Sequence, residues 1–394
     1  MPIFSEILYI VWIIFQVLIG IHLIIPLLLY IFHFFTKKNF TATESTSVFD
    51  YAIIVTAYQQ TTLLPSVVDS ILKLNYDNYL IYIVADNCDI SNLHFESDKV
   101  VLLRPEEVLA GNIKSHFYAI NHFKRPHELL TIIDSDNLVD PEYLNELNKF
   151  FDQNFIAVQG VRAAKNLDTS YACLDETGDM YYRFIDRKLL FSVGSSASLA
   201  GSGMAFTTTF YKECLESKNI DGAGFDKVLL MEILYKGKQV AFAEKAVVYD
   251  EKTSKPDQLV KQRARWLSAW FKYAYRGIIL IKKSILKPNW NQFLCGLMFS
   301  RPPLFILIFL SGFCILIDLF LQPVMLWFWA FGVFAFIYIF FAALNYFRAP
   351  KVIYNSLIRI PYFVFYQVLA LFKAKNADKI STATVHHYKK NIDE

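Results

Sequence analysis

The 394-residue sequence predicts an α/β domain built on a mostly parallel sheet and bracketed by long apolar helices. Three observations carry that prediction. Between residues 41 and 270, short β-branched and aromatic runs alternate with polar helical stretches, the rhythm of strands joined by helical crossovers. The apolar residues concentrate at the two ends of the chain. With 55% apolar and only 19% charged residues, the composition is also too apolar for an average soluble chain.

In chain order, Ile7 to Phe35 is almost unbroken in apolar residues, longer than the ~20 helical residues that cross a hydrocarbon core. No basic residue precedes the run and no small-residue cleavage site follows it, so residues 1–36 read as a retained anchor rather than a signal peptide. Lys37 and Lys38 follow at once, and the positive-inside tendency places the N-terminus outside and the rest of the chain in the cytoplasm at the inner or plasma membrane. Tyr51 to Ala57, Tyr79 to Ala85, Val100 to Leu103 and Leu129 to Ile133 are apolar runs of strand length, and their near-continuous apolarity expects a sheet covered on both faces. Residues 271–301 mix Lys272, Arg276, Lys282, Lys283 and Lys287 with Tyr, Ile and Leu, as helices lying in the headgroup plane do. Residues 302–346 form two apolar runs around Gln322-Pro323, a membrane hairpin. In residues 347–394, the run Val352 to Phe372 is interrupted by Asn355, Arg359, Pro361 and Gln367, which predicts an in-plane or re-entrant helix before a cytoplasmic tail.

The charge balance excludes one class of partner. Lys+Arg number 39 against 36 Asp+Glu, so no basic field for nucleic acid exists. Cys88, Cys173, Cys214, Cys295 and Cys314 are scattered without a C-x-x-C pair, which indicates reduced thiols rather than a disulfide frame or zinc knuckle.

Ligands of open α/β sheets bind beyond the carboxyl ends of the strands, and two predicted strand ends carry carboxylates. Asp86 ends the second, and Asp134-Ser135-Asp136 ends the fourth. Alternate residues of an extended chain point the same way, so Asp134 and Asp136 can converge on a hard cation such as Mg²⁺; a turn or helix cap is the plainer account of the same triplet. Asp226 precedes the helical stretch from Lys227, where an ordinary N-cap is the plain account. Gln262-Arg263-Ala264-Arg265-Trp266 reads by itself as a basic helix gripping lipid headgroups.

In this order, Asp86, Asp134-x-Asp136, Asp226 and Gln262-x-x-Arg265-Trp266 resemble the signature of membrane-bound family-2 glycosyltransferases of the processive type, among them cellulose, chitin, hyaluronan and poly-N-acetylglucosamine synthases. Thirty-five residues separate Asp226 from Gln262, an interval similar to that of the processive members. The resemblance implies a GT-A-like (Rossmann-like) domain over residues 41–270, a UDP-sugar donor and Mg²⁺ or Mn²⁺. Residue by residue it implies that Tyr58 borders the uridine, Asp86 contacts the base, Asp134 lies near the ribose and diphosphate, and Asp136 ligates the metal, with Asp134 beside it. Asp226 would be the catalytic base; Gln262, Arg265 and Trp266 would close over the diphosphate and line the acceptor site, with Gly201 and Ser202 in a small-residue loop beside the acceptor. One departure stands out: Gly224-Phe225-Asp226 replaces the family's usual Thr-Glu-Asp.

The expected reaction is inverting transfer of a hexose or N-acetylhexosamine to a growing β-linked polysaccharide. A polar polymer needs a polar path through the bilayer, and the three expected spans offer little beyond Asp318 and Asn345, unless partner subunits complete an export path. The alternative is a single transfer to a membrane lipid such as diacylglycerol, a ceramide-like lipid or polyprenyl phosphate; the second alternative is a non-catalytic membrane scaffold.

Overall fold

The computed structural model describes residues 2–36, 45, 47–218, 220 and 222–379. Lys37 and Lys38, on which the expected orientation rests, and the tail from residue 380 lie outside the described residues.

The α/β domain is built on one eight-stranded sheet, ordered β3-β2-β1-β4-β7-β6-β8-β5. Its strands are β1 Tyr51–Tyr58, β2 Tyr79–Asp86, β3 Val100–Leu103, β4 Leu129–Asp134, β5 Leu138–Val139, β6 Ala157–Ala164, β7 Met204–Thr207 and β8 Ala241–Asp250. The β3-β2-β1-β4 half is parallel throughout. β7 runs antiparallel between β4 and β6, β8 lies parallel to β6, and β5 pairs antiparallel with β8. The sheet is therefore mixed, and its parallel half is the part the apolar runs announce. In β6 the alternation is broken by Gly160 and Arg162, and β7 has only four residues, too short for periodicity to register.

Register sets the site. Thr56 pairs with Asp134 across β1 and β4, and Tyr58 with Asp86 across β1 and β2, so three candidate residues leave the sheet at one edge. Beneath them Tyr51, Ile53, Ile54, Val55, Ile81 and Ile83 are fully buried. Crossover helices bury one stripe each: in Leu64–Leu72 the buried Leu64, Val67, Val68 and Ile71 follow the 3.6-residue period.

Four helices are long and apolar enough to cross a membrane by length and composition: Glu6–Phe35, Leu304–Leu321, Met325–Tyr346 and Lys351–Lys373. The first belongs to the continuous helix Pro2–Phe35. The last is divided by a 3₁₀ turn at Leu357–Arg359 into Lys351–Ser356 and Ile360–Lys373, and its second part packs on the helix Pro256–Tyr273. The apolar helices and the α/β domain share a core, in which Ile25, Leu29, Ile339 and Ala343 meet Phe184, Ile185 and Leu189. Between domain and hairpin, the helices Tyr275–Leu286 and Trp290–Ser300 cross backbone to backbone. A Cβ on Gly277 would lie 2.7 Å from the Gly296 carbonyl and one on Gly296 2.8 Å from the Gly277 carbonyl, so both positions need glycine.

Candidate active site

Beyond the ends of β1 and β4 opens a cavity of about 990 Å³, lined at its polar end by Tyr58, Asp134, Asp136, Asp226, Gln262 and Arg265, with Gly201 and Trp266 also on its wall. The same cavity continues between the apolar helices, where Phe305, Ile308, Phe336, Ile337, Phe340 and Phe363 line it.

Asp134 ends β4, and the Asn137 N–H donates to its carbonyl at 3.1 Å, a closed turn. Asp136 therefore sits in a turn and not in extended chain. The two carboxylates face one cavity because the chain reverses, a correction to the strand-alternation argument. Asp136 is only 8% exposed, and Lys165 Nζ donates to its carbonyl at 3.1 Å. Burial lowers the Lys165 pKa, with Asp136 nearby acting the other way.

Two expected contact residues stand behind the wall. The Asp86 carboxylate is 2% exposed, absent from the cavity lining, and accepts from the N–H groups of Leu109 at 2.9 Å and Ala110 at 2.8 Å. It staples the loop leading to the helix Asn112–Asn121, whose Asn112 reaches the cavity. A buried carboxylate needs such donors, and here the backbone supplies them. Ser202 is likewise fully buried; its hydroxyl accepts from the Asp134 N–H at 3.1 Å and the Asn137 amide at 2.8 Å. Both residues brace those that line the cavity.

Asp226 is the second residue of the helix Phe225–Tyr235, and Gly224, at φ +96°, occupies the N-cap position. The N-cap reading of Asp226 is corrected accordingly. A Cβ on Gly224 would meet Tyr273 at 3.0 Å and Ala269 at 3.2 Å, so the glycine combines a left-handed turn with close approach to the helix Pro256–Tyr273. Phe225, where the family has Glu, is buried edge-on to His116 with ring centroids 5.3 Å apart. The departure from Thr-Glu-Asp thus exchanges an acid for packing that holds the Asp226 helix. Among the described residues the Asp226 carboxylate makes no hydrogen bond or ion pair.

Gln262, Arg265 and Trp266 are spaced i, i+3, i+4 on the Pro256–Tyr273 helix and share one face. Thr253 Oγ1 donates to Gln262 Oε1 at 3.2 Å. Burial lowers the Arg265 pKa. Arg263 lies 4.3 Å over the Trp266 ring and is ion-paired with Asp175, so the residue skipped by the motif orients the tryptophan.

Sequence reasoning missed the charged layer at the cavity wall, to which Arg162, Asp179 and Asp250 belong. Arg162 pairs with Asp250 and donates to the Ala200 carbonyl at 2.8 Å, beside the Gly201 loop. Lys252, 1% exposed, pairs with Asp250 and Glu176 at 3.0 Å each and with Asp179. Burial alone would raise the Asp250 carboxyl, but Arg162 and Lys252 hold it below its usual value; burial works against the Lys252 ammonium, and its three carboxylates raise it. The available signal was charge inside otherwise apolar runs, as in Gly160-Val161-Arg162 and Tyr249-Asp250-Glu251-Lys252.

The chain belongs to the glycosyltransferase-like family 2, whose model matches residues 50–269. The mannosyltransferase PcManGT from Pyrobaculum calidifontis, solved with GDP-Man and Mn²⁺, is similar in fold, with a TM-score of 0.52 at 15% identity, covering 86% of this chain and 99% of that one. Residues 1–349 of TarS from S. aureus give a TM-score of 0.41 at 13% identity, covering 84% of this chain and 90% of that one; the same protein solved with UDP-GlcNAc gives 0.41 at 14% identity, with the same coverage. No curated protein sequence matches the chain. The family and the PcManGT fold identify the mixed sheet domain as GT-A-like.

Proposed function

We propose that the protein transfers a hexose or N-acetylhexosamine from a nucleotide sugar to a hydroxyl of a membrane lipid, with inversion at the anomeric carbon. The observation that carries this reading is the single cavity in which the acids Asp134, Asp136 and Asp226 meet walls of Phe305, Ile308, Phe336 and Phe340. Such a space accepts a polar donor at one end and an apolar chain at the other.

Tyr58 and Asn112 would border the nucleoside, and Arg265 would face the diphosphate. The bond between the anomeric carbon and the diphosphate breaks with its electron pair leaving on the diphosphate, where Arg265 stabilises the developing charge. The acceptor oxygen bonds to the opposite face of the same carbon, and Asp226 takes the hydroxyl proton. Trp266, held by Arg263, offers a flat face to a sugar ring. Asp134 and Asp136 would hold Mg²⁺ or Mn²⁺. No third His, Cys, Asp or Glu joins them among the described residues, which fits ions that complete their shell with water and substrate phosphates. When bound, such an ion neutralises diphosphate charge.

The polysaccharide reading asks for a polar track across the apolar helices. Their buried acid is instead satisfied within the bundle: Asp318 accepts from Trp12, Gln16 and Trp329, each at 3.1 Å. The lipid reading needs only the lateral apolar cavity. On this reading the helix Ile360–Lys373 lies in the headgroup plane and the α/β domain faces the cytoplasm. The test is to incubate purified protein in nanodiscs with individual UDP- and GDP-sugars and Mg²⁺ or Mn²⁺. Nucleotide release and a singly glycosylated lipid support the proposal, a long polymer restores the alternative acceptor, and no turnover in a folded sample points to the scaffold.

A further inference from the structure

A charged pair at the seam of the cavity is not used by the chemistry above. Arg187 lies in the segment Phe184–Leu189, which winds as a π-helix, a distortion that recurs at functional sites. The neighbours of Arg187 in this segment, Phe184, Ile185 and Leu189, pack against the apolar helices, while Arg187 itself lines the cavity. Its Nε donates to the Ser198 carbonyl at 3.3 Å. Among the described residues its two terminal nitrogens have no hydrogen-bond or ion-pair partner.

The two carboxylates that act on Arg187, Asp179 and Asp186, are already taken, Asp179 by its ion pair with Lys252. Asp186 lies beside Arg301, Arg187 and Lys227, and Arg301 binds both its oxygens, at 2.9 and 2.8 Å. Lys227 also lines the cavity, directly after Asp226 in the chain, and its ammonium rests 5.6 Å over the Phe299 ring without an ion pair among the described residues. Burial and the adjacent Arg183 pull the Arg187 pKa down to about 10. Placing unmatched cations in a confined cavity is costly unless an anion joins them, and a planar guanidinium with its terminal nitrogens available suits a phosphate.

We infer that Arg187 and Lys227 form a phosphate subsite for the acceptor, which is a phosphate-ester lipid carrying a free hydroxyl. The inference rests on the lipid-transfer reading and adds the headgroup class to it. The apolar chains occupy the Phe336 and Phe340 end, the phosphate meets Arg187 and Lys227 at the seam, and the hydroxyl beyond it reaches Asp226. A bare lipid phosphate would arrive already ionised and give Asp226 no proton to take. The subsite therefore selects a phosphodiester or diphosphate lipid with a hydroxyl distal to the phosphorus.

The experiment compares phosphatidylglycerol with dioleoylglycerol as acceptors in mixed micelles, and adds phosphatidic acid as a competitor. The wild-type protein should prefer phosphatidylglycerol at least tenfold in kcat/KM, and phosphatidic acid should compete with the acceptor. Arg187→Gln and Lys227→Gln should erase the preference, and Arg187→Lys should keep part of it; donor affinity measured by calorimetry checks that each variant is folded. Equal use of both lipids, or an Arg187→Gln defect confined to donor KM, overturns the subsite. If no nucleotide sugar is consumed with any acceptor, the transfer reading has failed. Direct binding of phosphatidic acid to wild type and Arg187→Gln then decides the subsite by itself: weaker binding by the variant sustains it, and equal binding ends it.

Discussion

Asp226 owes its position to a glycine and a phenylalanine. Gly224 takes the left-handed turn and Phe225 anchors the helix start, leaving the carboxylate on the cavity wall. Asp226→Asn keeps the shape and removes the proton acceptor, so transfer should fall roughly 10²–10⁴-fold while nucleotide affinity is retained. Turnover and calorimetry on one preparation measure both, and a parallel loss of binding would make the residue structural. His116 offers a second test at this scale. It is fully buried, its Nδ1 lies 2.7 Å from the Tyr211 hydroxyl, and burial lowers its pKa from 6.5 to about 3. Below pH 6.5 the unfolded chain takes up a proton that the folded chain refuses. The stability present above that pH is therefore lost as pH falls toward 3, by up to about 1.4 kcal/mol per pH unit. Chemical denaturation between pH 7 and 4 should show this slope and His116→Gln should flatten it; an unchanged slope in the variant removes His116 from the account.

Two contacts between elements hold the site in place. The Asp226 helix meets the Pro256–Tyr273 helix at Gly224, so the candidate base and the Gln-x-x-Arg-Trp face are set by one helix crossing, a relation invisible in either segment alone. In the apolar bundle, Asp318 is fully buried and gathers Trp12 and Gln16 from the N-terminal helix and Trp329 from the hairpin, while Trp329 also donates to Gln16 Oε1 at 2.9 Å. An acid at such depth persists only when its oxygens are satisfied. Asp318→Leu leaves the Trp12 and Gln16 donors without their acceptor, Trp329 keeping Gln16 Oε1, and should cost about 1–3 kcal/mol, read as a lower unfolding midpoint in detergent, with Asp318→Asn in between. An unchanged midpoint for the leucine variant would show that the knot contributes nothing to the bundle.

Across the whole molecule, the apolar helices complete the cavity. The core joining Ile25, Leu29 and Ile339 to Phe184 and Leu189 packs the apolar helices onto the α/β domain, and on the proposed lipid-transfer reading the acceptor would enter from the side without leaving apolar surroundings. Ile337 lines the apolar end. Ile337→Trp should narrow it and raise KM about tenfold for long-chain acceptors, a loss of roughly 1.4 kcal/mol, while dihexanoyl analogues are spared. Equal effects on both chain lengths would place the acceptor elsewhere.

Much of this was legible along the chain. Apolar runs specify β1 to β4 and the long helices because burial imposes periodicity on each segment locally, and Asp134, Asp136, Asp226 and Arg265 are recognisable by type and order. Tertiary structure decided the rest. Asp86 and Ser202 turn inward to backbone and side-chain donors, the Arg162 to Lys252 layer assembles from residues 90 positions apart, and Arg187 and Lys227 come to line one cavity with Asp226. Periodicity records which residues are buried; which charge neutralises which depends on distances set only when remote segments pack.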